Sequence, residues 1–136
     1  MTDTLPTRGQ LERSLSQRIQ ALYRNQLGHR LSAIDCELLG TKIAIVLEKS
    51  ITQPEQLLAN QGKDELVAQL HSELDEAIQP HLKALIEEVV GVSVVDLLSD
   101  ATFETERTGI IAILAEAPQL RDAVSKVAAQ NSVPAK

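Results

Sequence analysis

Hydrophobic positions recur at three- and four-residue spacing in two long stretches of the chain, and at two-residue or continuous spacing in four short ones. In the first stretch Leu11, Leu15, Ile19 and Leu22, followed by Tyr23 or Leu27, form one stripe. This predicts a helix that starts near Thr7 or Arg8 and stops at Gly28, where the chain must turn through positive φ. Leu31 to Leu39 alternates, with Ile34, Cys36 and Leu38 on one side and Asp35 and Glu37 on the other, as in a half-exposed strand. Gly40-Thr41 is a tight turn, and Lys42 to Glu48 is apolar on both faces, which suits a central strand covered on both sides. Thr52-Gln53-Pro54-Glu55 is a helix-start signal, and that short helix ends near Asn60-Gln61-Gly62. A second long helix is expected from about Lys63 to Val90. Its stripe is Leu66, Leu70, Leu74, Ile78, Leu82, Leu85 and Val89, with a kink at Pro80. Val92 to Leu98 and Gly109 to Glu116 read as the third and fourth strands, with residues 100–108 as a polar turn between them.

The order of elements contains an echo. Ala21 to Gly28 resembles Ala84 to Gly91, Leu31 to Cys36 resembles Val92 to Leu97, and Ile43 to Glu48 resembles Ile111 to Glu116. The expected architecture is α+β. Duplicated α-β-β units, about 8–50 and 63–116, are joined by the short helix into a four-stranded antiparallel sheet with the helices on one face. Residues 1–7 are expected to be a flexible arm, 8–116 a single domain, 117–130 a C-terminal helix from Gln119, and 131–136 a disordered tail. Two strands apolar on both faces leave one sheet surface needing cover, from the last helix or from a second subunit, so a homodimer is expected.

Composition narrows the function. With no Trp, one Tyr and one Phe there is no platform for stacking bases, and a net charge of −6 opposes a phosphate backbone, so nucleic acid is not an expected partner. The charge is uneven. Residues 1–30 carry Arg8, Arg13, Arg18, Arg24 and Arg30 against Asp3 and Glu12, while the rest of the chain is acidic. Arg13, Arg18 and Arg24 on the first helix are candidate contacts for an acidic partner or membrane surface; a solvated face with Arg–Glu pairs is the alternative. Cys36 is the lone cysteine, so no internal disulfide forms, and it reads as a small buried hydrophobe. No apolar run suits a signal peptide or a membrane span, so a cytoplasmic location is expected.

Little chemistry is legible. His71 and Asp75 stand four apart on the long helix but have no third ligand at a recognisable spacing, so no metal is expected. The adjacent acids Asp75-Glu76 and Glu87-Glu88 point apart on a helix and form no acid/base dyad. Ser99-Asp100 lacks the Gly-x-Ser-x-Gly elbow and reads as a strand-end turn. The glycines are isolated at element boundaries, so no phosphate loop or nucleotide cofactor is expected. Asp35 and Asp96 recur at matching positions of the echo. That reflects structural symmetry, or else a ligand site shared by Asp35, Asp96, Ser99 and Asp100.

The chain resembles the YbcI-like, or MpsC-like, family of small bacterial proteins. The likeness covers about residues 8 to 116 and is carried by Leu22-Tyr23…Leu27-Gly28, Ile51-Thr52…Glu55…Leu58…Gly62, Leu66-Val67, Gly91-Val92-x-Val94 and Ser99-Asp100. A basic residue often found near position 71 is here His71, and the helix after Pro118 extends beyond the family core. The resemblance implies an accessory role near an inorganic-carbon or cation transport, membrane-potential system, with no catalytic residues to carry over. The alternative is a small-molecule sensor acting as a homodimer.

Overall fold

The computed structural model describes residues 4–121. The elements follow the order α1 (Arg8–Leu27), β1 (Ala33–Leu39), β2 (Lys42–Glu48), α2 (Gln53–Asn60), α3 (Asp64–Val90), β3 (Val94–Thr102) and β4 (Arg107–Leu114). The architecture is α+β: one antiparallel four-stranded sheet in the order β1-β2-β4-β3, with α1 and the long α3 on one face. The most apolar strands, β2 and β4, take the centre and join the two hairpins, Ala44 opposite Ile111 and Val46 opposite Gly109.

Local signals fix the helix ends. Thr7 caps α1 through a capping box, its hydroxyl accepting from Gln10 N–H at 3.1 Å while Gln10 Oε1 accepts from Thr7 N–H at 2.9 Å. Gly28 and Gly91 end α1 and α3 in the left-handed region, at φ 62° and 76°. Around Gly91 a methyl group would meet nothing within 4 Å, so Gly91→Ala is a test of backbone strain alone. Thermal or urea unfolding of Gly91→Ala is expected to show a loss of about 1 kcal/mol.

Between the layers, Leu15, Ile19, Leu82 and Ile86 meet Leu38, Ile43, Ile45, Leu47, Ile110 and Ala112 in one buried core. Helix α1 also blunts the β1 edge: Leu38 N–H donates to Glu12 Oε2 at 2.8 Å and Leu38 C=O accepts from Arg8 Nη1 at 3.2 Å.

Four expectations are corrected. The first half of α3 buries Val67 rather than Leu66, which is 46 % exposed. Helix α2 packs there in place of the sheet and rotates the buried side by one residue. Strand β3 runs on to Thr102 and β4 starts at Arg107, so the turn is confined to residues 103–106. Polar residues at 100 and 102 occupy the exposed side of a strand, where their polarity imitates a loop. The expected β1 start at Leu31 moves to Ala33, because Leu31 N–H and C=O are taken by the Gln20 amide at 2.9 Å each. Gln119 and Leu120 are not helical; Leu120 packs on the core and Arg121 N–H donates to Pro6 C=O at 2.9 Å. The remainder of the expected C-terminal helix and tail, from residue 122, lies outside the described residues. Helix α3 continues through Pro80.

Candidate functional site

Two features are candidates: a polar cluster beneath α2 and the sheet face that no other described element covers. The cluster starts from the capping box of α2. Glu55, three residues after Thr52, reaches back so that its Oε1 accepts from Thr52 N–H at 3.0 Å and from the Thr52 hydroxyl at 2.8 Å. Its Oε2 meets His71 Nδ1, from α3, at 2.7 Å. Glu55 is 1 % exposed, an unusual degree of burial for a carboxylate. The His71 ring packs edge-on against Phe103 of the β3–β4 turn, 5.3 Å between centroids. Ser50 and Thr108, both buried, share a hydroxyl hydrogen bond of 2.7 Å. Further along α3, Asp75 Oδ1 accepts from the Ser99 hydroxyl at 2.9 Å, and Gln79 Nε2 donates to Ser99 at 3.3 Å. Tyr23, Glu55, His71 and Asp75 border a cavity of about 20 Å³, room for one water molecule.

Charge holds this cluster together. Burial pushes the Glu55 carboxyl up, but hydrogen bonds from His71 and Thr52 outweigh it and leave Glu55 below its ordinary range. The Glu55 hydrogen bond raises His71 against the opposing effect of burial, and the charges of Glu55, Asp75 and Asp100 add to the rise. Burial pushes the Tyr23 phenol far up, helped by Asp75 and Glu55. Each partner therefore favours the charged form of the other, and both Glu55 oxygens are engaged. Among the described residues no fully buried side-chain polar atom lacks a partner. This arrangement locks α2 to α3.

The pair predicts a pH profile for stability. Glu55, lowered from 4.5, contributes stability that is present above that value and lost as pH falls through its folded pKa. His71, raised from 6.5, contributes stability that is full below that value and lost as pH rises through its folded pKa. Denaturant melts across pH should show a maximum between the two and a decline on each side. In His71→Gln the alkaline decline should flatten; superimposable profiles would contradict the pairing.

The residues singled out from sequence do not converge. Ser99 faces the helices, whereas Asp35, Asp96 and Asp100 are exposed. Asp35 lies on β1 and Asp96 on β3, at opposite edges of the sheet, three strand spacings across and four residues along, or about 20 Å apart. Arg18 is engaged by Glu88 of α3. Arg13 and Arg24 are exposed on the outer side of α1, about 16 Å apart along its axis. The three arginines thus form no single patch. His71 and Asp75 turn to different partners, and no group of three or more His, Cys, Asp or Glu that could hold a metal occurs among the described residues. Burial raises the Cys36 thiol, and the Ser16 hydroxyl lies 3.5 Å from its sulfur. Glu55 is the important residue that sequence reasoning read only as a helix start; its spacing from Thr52 marks the capping box, but nothing in the sequence marks its burial.

The sheet face away from α1 and α3 is built by register. Across it run the rows Asp35–Val46–Gly109–Asp100, Glu37–Ala44–Ile111–Leu98 and Leu39–Lys42–Ile113–Asp96. Its centre is apolar and its two edge strands carry acids. Val46 and Ile111 lie in central strands yet are 37 % and 39 % exposed, and Leu98 is 58 % exposed. The Glu48–Arg107 ion pair, 2.8 Å, closes one end.

No helix among the described residues is long and apolar enough to cross a membrane. No curated protein and no solved structure matches the chain. A family model does match, over residues 7–116, nearly the whole of the fold just described. Its description is "Na+-translocating membrane potential-generating system (MpsC)", and the chain belongs to that family.

Proposed function

We propose that this chain is a non-enzymatic accessory protein of a cation or inorganic-carbon transport system that generates membrane potential. It acts from the cytoplasmic side and binds a subunit of that system through the open face of its sheet. The observation that carries this reading is the apolar centre of that face, exposed among the described residues at Val46, Ile111 and Leu98. Contiguous exposed apolar surface rimmed by polar residues is characteristic of contact sites. The family description supports the choice of system.

The non-enzymatic part rests on the polar cluster. Glu55 is paired with His71 and Asp75 with Ser99, and the cavity that Glu55, His71 and Asp75 border has space for a single water, far below the several hundred Å³ of a typical substrate pocket. The sheet face is also a better contact surface than the α1 arginines, one of which is already paired to Glu88. The test is co-purification of the tagged full chain from gently solubilised membranes. A transport subunit recovered at fixed ratio is expected; a chain that leaves the membrane fraction with no such subunit would overturn the proposal.

A further inference from the structure

The sheet face has a trough-like pattern of charge, apolar along its centre and acidic along both edges. Its floor is formed by β2 and β4, with Val46, Ile111 and Ile113 as the apolar contacts, the small Ala44 and Gly109 between them, and Lys42 and the Glu48–Arg107 pair at its two ends. Its walls are the edge strands. Asp35 and Glu37 stand along β1, and Asp96 and Asp100 along β3, all exposed and on the same face as the floor. Two central strands are about as wide as one α-helix, so the acids flank whatever lies on the floor. From the Lys42 row to the Glu48 row the trough is about 20 Å long, the length of a helix of roughly 13 residues.

We propose that this trough holds a cationic amphipathic helix of a partner protein, its apolar side on Val46, Ile111 and Ile113 and its Lys or Arg side chains reaching both acid walls. This rests on the sheet face being the contact surface and adds the chemistry of the partner. Charge complementarity selects it over a second copy of the chain, because two such faces stacked with strands aligned would bring acid walls together. Lys- and Arg-rich segments flank membrane spans on the cytoplasmic side, which is where a transport subunit would present such a helix.

The test uses the full chain and a fluorescein-labelled peptide of about 14 residues, built from leucine and lysine at helical spacing, read by anisotropy. Controls are the same peptide with glutamate for lysine and one with the order scrambled. The lysine peptide is expected to bind, more weakly as salt rises, and the controls are not. Joint replacement of Asp35→Asn, Glu37→Gln, Asp96→Asn and Asp100→Asn is expected to weaken binding about ten-fold, a few tenths of a kcal/mol per exposed charge. Ile111→Ser, which removes an apolar contact from the floor and adds no charge, is expected to weaken it further.

Equal binding of the scrambled peptide, or affinity unchanged by the four neutralisations, would overturn the proposal. So would a chain that is dimeric in solution and becomes monomeric in Ile111→Glu, since a second copy would then fill the trough. Binding that appears only after residues 122–136 are removed would assign the trough to the chain's own terminus. If no peptide binds but Ile111→Glu still strips a transport subunit from the chain, the sheet face remains the contact surface and only the cationic helix is refuted.

Discussion

Glu55→Ala is expected to destabilise the fold by about 3–4 kcal/mol, lowering the melting temperature by roughly 15 °C. The carboxylate is 1 % exposed and holds three hydrogen bonds, two from Thr52 and one from His71. Its removal leaves the half-buried imidazolium without its anion and the Thr52 N–H and hydroxyl without an acceptor, at the start of the helix they position. Glu55→Gln keeps the volume and one acceptor, so it should cost less than alanine while abolishing the charge-dependent shape of the pH profile. Urea unfolding of both variants near pH 6 measures the difference. A loss under about 1 kcal/mol in Glu55→Ala would mean that water reaches the pair and that it does not lock α2 to α3.

The second large effect is in the core. Ile86 is fully buried between α3 and the sheet, and Ile86→Ala should cost about 3–4 kcal/mol through lost burial and a residual cavity. Leu66 is on the same helix, but nearly half exposed, and Leu66→Ala should cost under about 1 kcal/mol. The comparison tests the rotation of the buried side along α3. Equal losses would place Leu66 in the core, as its sequence spacing alone suggests.

That spacing illustrates what the sequence could and could not reveal. The elements of the N-terminal half are legible because their signals are local: Thr7 and Gln10 for the cap, Gly28 for the stop, and alternation from Ile34 to Leu38. Strand β2 is legible to its ends because it is apolar on both faces between a tight turn and charged residues. The same double-sided character correctly marks it as central. The stripe on α3 fails at its start, where α2 replaces the sheet, and misses Ile86 and Val90 at its end, because periodicity records which side is buried and not what covers it. Asp100 and Thr102 read as loop because the outer side of an edge strand is polar.

The site was less legible for a related reason. Spacing sets His71 beside Asp75, four residues on, whereas its partner Glu55 is 16 residues away on another helix. Asp35 and Asp96 read as a repeat, but their common feature is a shared sheet face, and that depends on strand order and register. No spacing along the chain encodes either relation.

The contact surface is located by comparing two variants in quantitative co-purification from solubilised membranes. One is Ile111→Glu, in the centre of the open sheet face; the other is Arg13→Glu with Arg24→Glu, on the outer side of α1. Circular dichroism and melting temperature establish first that both are folded. The sheet-face variant is predicted to lose the transport subunit while the arginine variant retains it at the wild-type ratio. Retention by Ile111→Glu together with loss by the arginine variant would contradict the account and move the contact surface to α1.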